Sequence, residues 1–559
     1  MNVKNTQLMK FVFNYIKPRI KLFIISFLFL IGLSLISLLP PYVTKLAFDE
    51  GIMMKNLSIL TKYVLILVVI YILKSTFNYL SSALFTIVSQ NTLLEIKKDL
   101  TNHIMKLPLE FFSNSESGYI VSRFGEVDSL SPLFSMQSFK LILSIFEFIG
   151  AMVIMFLMNA KLTLILVLII PVFYLITKTF ETAFGKLTSQ TMEKAATFHG
   201  KFQQSVSGVE EIKRMNLEDK ETEKINKINK DYVKSSIKYS ILLSVGSEAI
   251  ILLSSVVSVL LLYIGGKGVL QESLSIGTYM AFAGYFGKLY APVINWNLSM
   301  FTFKPAFVAL DRIKDFFLKY PQEGETSDKI KINEINKIEM KNVTFSYPDG
   351  KETVLNNFNL KAKRGDKLLL KGPNGSGKST IIRLILGLYD NYDGEILINS
   401  IELKKLSKRS LRSRISIVSQ KIFLFNDTIE NNIKIAGDVS EEKYETALKK
   451  SGLKHFIDNL PLKDKTLVGE NGVKLSGGEI QKVAIARALI KSDSSDLFIF
   501  DEAAAHLDKE TRELIKTFIG TELCEKICII IDHSDYFNDI CNRTINLILK
   551  QNNWSEQNV

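Results

Sequence analysis

At 559 residues the chain is too long for one ordinary domain, so two or more are expected. Hydrophobic residues make up 47% of it and the mean hydropathy is +0.17, with long charge-free runs in the first 300 residues and a mixed α/β pattern with interspersed charge in the rest. The formal net charge of +12 comes without a basic patch interleaved with aromatics, which argues against nucleic acid as a partner. The cations gather beside apolar runs instead, where they set membrane topology.

Lys4, Lys10, Lys17, Arg19 and Lys21 precede an apolar run of 23 residues, Leu22 to Thr44. That is enough for about 34 Å of helix at ~1.5 Å per residue. A secretory signal carries an apolar region of only ~7–15 residues, so this run reads as a spanning helix. Further charge-free runs follow at 75–94, 148–160, 162–177, 249–266 and 273–287, the last prolonged by 289–303. Accepting Lys74, Glu147, Glu248 and Lys288 inside or near helix ends gives six spans, at about 20–46, 63–92, 139–160, 162–182, 240–266 and 274–303.

The connections alternate in length. Spans three and four, and spans five and six, are joined by short turns; the other two connections are long and polar, and 178–238 alone holds twelve Lys or Arg. The positive-inside rule then places both long connections and both termini in the cytosol. Rich in Glu, Lys, Leu and Ile with few Gly or Pro, the long connections have helical character, as if the spanning helices continue beyond the bilayer. They contain Leu107–Phe112 (LPLEFF), Gly118, Arg123 and Asp128, then Gln203–Gly208 (QQSVSG), Ile212, Lys213 and Glu218. After span six come Ala309–Arg312 (ALDR), Phe316 and Phe317. The reading is a membrane domain over 1–320, a polar linker over 321–337 and a soluble domain over 338–559.

In the soluble part, Lys367–Lys371 reads as a short buried strand, and a helix starts near Ser379. Between them Gly372, Pro373, Asn374, Gly375, Ser376, Gly377, Lys378 and Ser379, followed by Thr380, form a glycine-rich loop whose N–H groups are free to turn towards phosphate. The helix N-terminus adds partial positive charge. Lys378 is placed to reach the β- and γ-phosphates, and the Ser379 hydroxyl to ligate Mg²⁺. A second buried strand, Leu497–Phe500, ends in Asp501 and Glu502, 123 and 124 residues beyond Lys378. Asp501 suits Mg²⁺, and Glu502 suits the general base that activates the attacking water. The three cysteines, Cys524, Cys528 and Cys541, lack CxxC spacing and read as reduced thiols.

The phosphate loop Gly372–Ser379 and the segment Leu475–Glu479 (LSGGE), 97 residues beyond Lys378 and present once, together resemble the ATP-binding cassette family. The cytosolic segments quoted above resemble its exporter-type members. The implied fold is an all-α six-helix transmembrane domain followed by an α/β P-loop nucleotide-binding domain. In this family ATP sits between the phosphate loop of one cassette and the LSGGQ-like turn of another, so the resemblance implies a dimer. It implies that Tyr347 stacks on adenine and that Gln420 meets Mg²⁺ and the attacking water. His533 would contact the γ-phosphate, and Ser476, Gly477, Gly478 and Glu479 would meet the γ-phosphate of the partner's ATP. Val468–Gly472 resembles the loop that faces the membrane helices in exporters.

Two departures stand out. Glu479 replaces the usual Gln, and the loop after Glu502 carries Ala505 and His506 where the family typically has Ser and Ala, although Asp508 is kept. The residues expected to act in catalysis, Lys378, Gln420, Glu502 and His533, are all present. The expected function is ATP- and Mg²⁺-dependent export of a small peptide, lipid or amphipathic compound across the cell membrane by a homodimer. The alternatives are a siderophore-type importer of the same fold, or one half of a heterodimer. With no protease domain ahead of the first span, export coupled to leader-peptide cleavage is not expected. Lys74, Glu147 and Glu248 are candidates for contact with cargo or for pairing with each other.

Overall fold

The computed structural model describes the chain except for residues 1–10, 115–119, 121–122, 324–328, 349–351, 438, 505–506, 548–553 and 559. Lys4, Lys10, Gly118, Ala505 and His506 therefore lie outside the described residues. The chain forms two compact units, Met1–His103 with Gly118–Lys319, and Ile104–Ser117 with Tyr320–Val559.

The first unit is helical. Its long members are Ile20–Ser37, Leu57–Met105, Met136–Met158, Ile170–Ser207, Glu218–Leu270 and Ile276–Lys319. Among the described residues, five helical stretches are long and apolar enough to cross a membrane: Phe11–Ile52, Leu57–Met105, Arg123–Met158, Ala160–Ser207 and Glu218–Leu270. The sixth expected span falls in Ile276–Lys319, whose glycines, tyrosines and Lys288 dilute its apolar character. Several helices run far past the ~30 Å of a hydrocarbon core: the 49 residues of Leu57–Met105 span about 74 Å at ~1.5 Å each.

Large apolar side chains lie on both sides of this unit: Leu30, Phe85, Phe173 and Phe282 are buried between helices, as in a water-soluble bundle, but many others face outward. Leu28, Leu65, Ile72, Leu157, Leu252 and Val259 are exposed, while Ser26, Ser34, Ser81, Ser89, Thr92 and Thr163 are buried between helices. Lipid tails are as apolar as leucine, so outward-facing large side chains cost nothing, and small hydroxyl residues let helices approach. Two breaks interrupt the spanning helices, one at Leu38 before Pro40 and Pro41, the other at 168–169 before Pro171. Proline offers no N–H, so carbonyls in the preceding turn lose their helical donors. The same neighbouring helix bonds beside both breaks: the Tyr285 hydroxyl donates to the Leu38 carbonyl at 2.6 Å and the Tyr290 hydroxyl to the Leu166 carbonyl at 3.0 Å.

Several charged groups in this unit are paired. Lys288 Nζ lies 3.1 Å from Glu147 Oε2 and donates to Ser37 Oγ at 2.8 Å, joining three spanning helices. Glu147 thus pairs with Lys288 rather than with Lys74 or Glu248. Asp49 caps the start of Ile276–Lys319, accepting from Ser275 Oγ at 2.8 Å and from the Gly277 N–H at 2.9 Å. A Cβ on Gly277 would collide with the Lys45 carbonyl, which fixes glycine there. Of the motif residues, Arg123 pairs with Glu126, Glu126 with Arg312 at 3.0 Å, and Asp128 with Lys97 at 2.7 Å.

The second unit holds two sheets. In chain order the strands are β1 (Lys337–Phe345), β2 (Leu355–Lys363), β3 (Lys367–Lys371), β4 (Tyr392–Ile398), β5 (Ile401–Glu402), β6 (Ile415–Val418), β7 (Leu497–Asp501), β8 (Ile527–Ile531), β9 (Arg543–Leu547) and β10 (Trp554–Asn558). The smaller sheet is antiparallel in the order β2-β1-β4-β5; the larger runs β10-β9-β3-β8-β7-β6, with β10 antiparallel and the others parallel. β7 and β8 are buried along their whole length, as their unbroken apolar sequences require of central parallel strands. Because β3, β6, β7 and β8 are parallel, their carboxyl ends share one edge, the usual ligand edge of an open α/β sheet. The short helix Leu109–Asn114 belongs to this unit: Leu109 packs on the core between the sheets, Ser113 Oγ lies 3.2 Å from the Tyr389 hydroxyl, and Phe111 packs on Tyr320 with ring centroids 4.6 Å apart.

Candidate active site at the carboxyl edge of the parallel sheet

The loop after β3 bends through Gly372, Gly375 and Gly377 at φ values of +154°, +82° and +93°, a backbone path that suits glycine. A Cβ on Gly372 would lie 2.7 Å from the Leu547 carbonyl, and one on Gly377 would lie 2.9 Å from Leu355 Cδ2. The helix Lys378–Ile385 begins where the loop ends. Lys378 folds back over the loop and donates to the carbonyls of Gly372 at 2.6 Å and Pro373 at 2.9 Å. Burial lowers its pKa, against the pull of Glu502 and Asp501. The Ser376 hydroxyl is buried without a hydrogen-bond partner. A loop with an orphaned hydroxyl donor, a retractable ammonium and a helix N-terminus fits a polyphosphate.

Asp501 and Glu502 leave the end of β7. Asp501 is 8% exposed; burial raises its carboxyl pKa, reinforced by the charge of Glu502 and opposed by Lys378, Arg383 and a hydrogen bond from Ser379. A buried carboxylate held charged against its surroundings, beside a serine hydroxyl, fits a hard divalent cation such as Mg²⁺. Glu502 is held in the left-handed region at φ +52°, a conformation costing about 1 kcal/mol for a side chain of this kind. Its N–H donates to the Ile531 carbonyl at 3.0 Å, and its own carbonyl accepts from Gln481 Nε2 at 3.0 Å. The carboxylate is gripped on both oxygens: Gln420 Nε2 donates to Oε2 at 2.8 Å, and His533 Nε2 lies 3.2 Å from Oε1.

Four segments far apart in sequence therefore meet at one edge: the loop after β3, Gln420 after β6, Asp501 and Glu502 after β7, and His533 after β8. Tyr347 lies just past β1 beside the phosphate-loop helix, its hydroxyl 2.9 Å from Thr380 Oγ1 and accepting from Arg383 Nη1 at 3.1 Å. Ser476 is the N-cap of the helix Gly477–Ile490 in a complete capping box: the Glu479 N–H donates to Ser476 Oγ at 3.4 Å, and Glu479 Oε2 accepts from the Ser476 N–H at 2.7 Å.

A family model described as ABC transporter transmembrane region matches residues 23–293, and one described as ABC transporter matches 355–505. The alpha-hemolysin translocation ATP-binding protein HlyB of Proteus vulgaris is 30% identical over 535 residues, covering 94% of this chain and 75% of that protein. The chain belongs to the ABC transporter family. The ATP-dependent lipid A-core flippase of Desulfotalea psychrophila is 29% identical, covering 95% and 92% of the two chains. A solved bacterial Atm1-family ABC exporter with ATP bound shares the fold at a TM-score of 0.83 and 23% identity, over 95% of this chain and 94% of that one. This transporter is an ATP-hydrolysing, multi-pass membrane protein.

Three residues at this transporter's site were not singled out from sequence. Gln481 and Lys482, on the first turn after the LSGGE segment, reach opposite ends of the loop behind Glu502: Gln481 holds the Glu502 carbonyl, and Lys482 Nζ lies 2.8 Å from Asp508 Oδ2. Arg383 backs Tyr347. The sequence marks Gln481 only as a polar residue beside the apolar run Val483–Ile485; its burial, at 4% exposed, comes from the fold.

Proposed function

We propose that the transporter is half of an ATP-driven exporter that acts as a homodimer and moves a small peptide, lipid or amphipathic compound out of the cell. The domains are taken as 1–320 in the membrane, a linker over 321–337 and a nucleotide-binding domain over 338–559 in the cytosol, with both termini cytosolic. The observation that carries the reading is the two-sided grip of Gln420 and His533 on Glu502, next to the Asp501–Ser379 pair.

In this reading Gly372–Thr380 cradles the phosphates of ATP and Tyr347 stacks on adenine. Lys378 swings from its loop carbonyls to the γ-phosphate, exchanging two neutral acceptors for charged ones. Ser379, Asp501 and Gln420 would hold Mg²⁺, which would supply positive charge against the phosphates. Glu502 accepts a proton from the attacking water, Gln420 orients that water, and His533 contacts the γ-phosphate. Ser476–Glu479 of a second copy closes over the γ-phosphate. Closure of the two cassettes on ATP favours one membrane state and hydrolysis releases it, so differential affinity for ATP drives the switch.

Replacing Glu502 by Gln keeps its size and hydrogen-bonding reach and removes its basicity. Hydrolysis by the purified transporter should fall about 10²- to 10⁴-fold while an ATP-bound dimer accumulates, read by phosphate release and by size. Full turnover in Glu502→Gln would remove the general-base assignment. Accumulation of labelled cargo in inside-out vesicles on adding ATP tests direction; loss of preloaded cargo would favour an importer.

A further inference from the structure

A polar groove of about 300 Å³ runs between the spanning helix Leu57–Met105 and the segment 131–140 at the start of the next span. Nine of the ten residues lining it are polar, and none carries a carboxylate. Asn78, Ser82, Thr86 and Gln90 recur every four residues on one face of the helix, and Gln137 and Lys140 face them across the groove. Lys74 continues the same face one turn earlier. Polar side chains at membrane depth are expensive against lipid and belong against protein or a water-filled cavity.

Two observations single out this groove. Ser89 lines it at 3% exposure, and among the described residues its hydroxyl has no hydrogen-bond partner. Buried hydroxyls are nearly always satisfied, so this one is a donor in want of an acceptor. Among the described residues, neither Lys140 nor Lys74 has an acidic partner, whereas Lys288 is neutralised by Glu147. The groove therefore offers hydroxyl and amide groups around uncompensated positive charge.

We propose that this groove is the cargo site, and that it takes the anionic, hydrogen-bonding head of an amphiphile, a phosphate or carboxylate held by Lys140 with Ser89 and Gln90 beside it. The proposal rests on the exporter reading and narrows its cargo class. In the proposed topology the groove opens from mid-membrane towards the cytosolic side, where an exporter collects its load.

Binding is measured without ATP, on the full-length transporter in phosphatidylcholine nanodiscs. The probes are dodecyl phosphate, glycerol 3-phosphate as a head without a tail, and dodecyltrimethylammonium as a cation. Dodecyl phosphate should bind, Lys140→Gln should weaken it about tenfold, the loss of one charge-assisted hydrogen bond, and Lys140→Arg should restore most of the affinity. Glycerol 3-phosphate binding as tightly as dodecyl phosphate assigns the groove to the head alone, and weaker binding assigns it to a whole amphiphile; both support an anionic site. The proposal is overturned if Lys140→Gln stays within about twofold of the parent, if the ammonium probe binds as well, or if no probe binds. ATP-driven accumulation of labelled cargo by the wild-type transporter in inside-out vesicles reports on the exporter reading separately.

Discussion

Lys482 Nζ sits 2.8 Å from Asp508 Oδ2, tying the first turn after the LSGGE segment to the N-cap of the helix Lys509–Thr521. Asp508 also accepts from the Thr511 N–H at 2.8 Å and from the Thr511 hydroxyl at 2.9 Å. With Gln481 on the Glu502 carbonyl, one helical turn braces both ends of the loop between residues 502 and 508.

That brace has a pH signature. The Lys482 ammonium, then the Thr511 N–H, hold the Asp508 carboxyl well below the usual carboxylate range. A depressed carboxylate adds stability above its unfolded pKa of ~3.9, and that stability is lost as pH falls. Lys482→Met should therefore lower the melting temperature at pH 7, with the gap from the parent holding down to about pH 4 and narrowing below it, as pH falls from the unfolded value of ~3.9 towards the depressed folded one. Asp508→Ala, which also removes the cap, should cost about 1 kcal/mol. A gap that stays constant with pH would show that the ion pair contributes nothing.

Asp501 points the other way. Its carboxyl pKa is raised by burial and by Glu502, so its charged form burdens the nucleotide-free protein, and stability falls as pH rises through that raised value. Asp501→Asn should stabilise the nucleotide-free transporter by about 1 kcal/mol, roughly 2–4 °C in melting temperature, while removing Mg²⁺-dependent hydrolysis. Scanning calorimetry beside a phosphate-release assay reads both, and a destabilised, inactive variant would contradict this account.

Glu479 closes the capping box as glutamine also would, which explains why the departure leaves the local fold intact. It differs by one negative charge at a helix N-terminus expected to meet a partner's γ-phosphate. Glu479→Gln should keep thermal stability within about 1 kcal/mol, because the box survives and only the dipole interaction weakens. The apparent KM for ATP should fall. An unchanged or higher KM would mean that this carboxylate does not oppose nucleotide.

The Glu147–Lys288 pair is four-fifths buried on each side. Losing one partner strands a charge among spanning helices, so Glu147→Gln or Lys288→Met alone should cost about 3 kcal/mol, measured as a drop in melting temperature in detergent. The double variant should recover much of that loss. Additive losses in the double variant would indicate that each side chain acts through other neighbours.

Much of this arrangement was legible in the sequence because its signals are local. Glycines at 372, 375 and 377, an apolar strand ending in Asp501 and Glu502, and charge-free runs of spanning length each announce themselves over ten or twenty residues. Pairings between separate elements do not. Glu147 meeting Lys288, Gln481 meeting the Glu502 carbonyl, and the gathering of Asn78, Gln90 and Lys140 along one groove depend on helix rotation and strand order. The charge-free runs at 273–287 and 289–303 point to the sixth span, but not to the bonds its Tyr285 and Tyr290 make to carbonyls of two other helices.

Tyr285 and Tyr290 lie five residues apart, about 7.5 Å along their helix and some 140° around it. Their hydroxyls bond to two different helices, at Leu38 and at Leu166. A shaft pinned on two sides cannot spin: turning it about its axis carries one hydroxyl away from its carbonyl whichever way it turns. Sliding and tilting together with both neighbours remain open, so any rearrangement that keeps these two bonds moves the three helices as one piece.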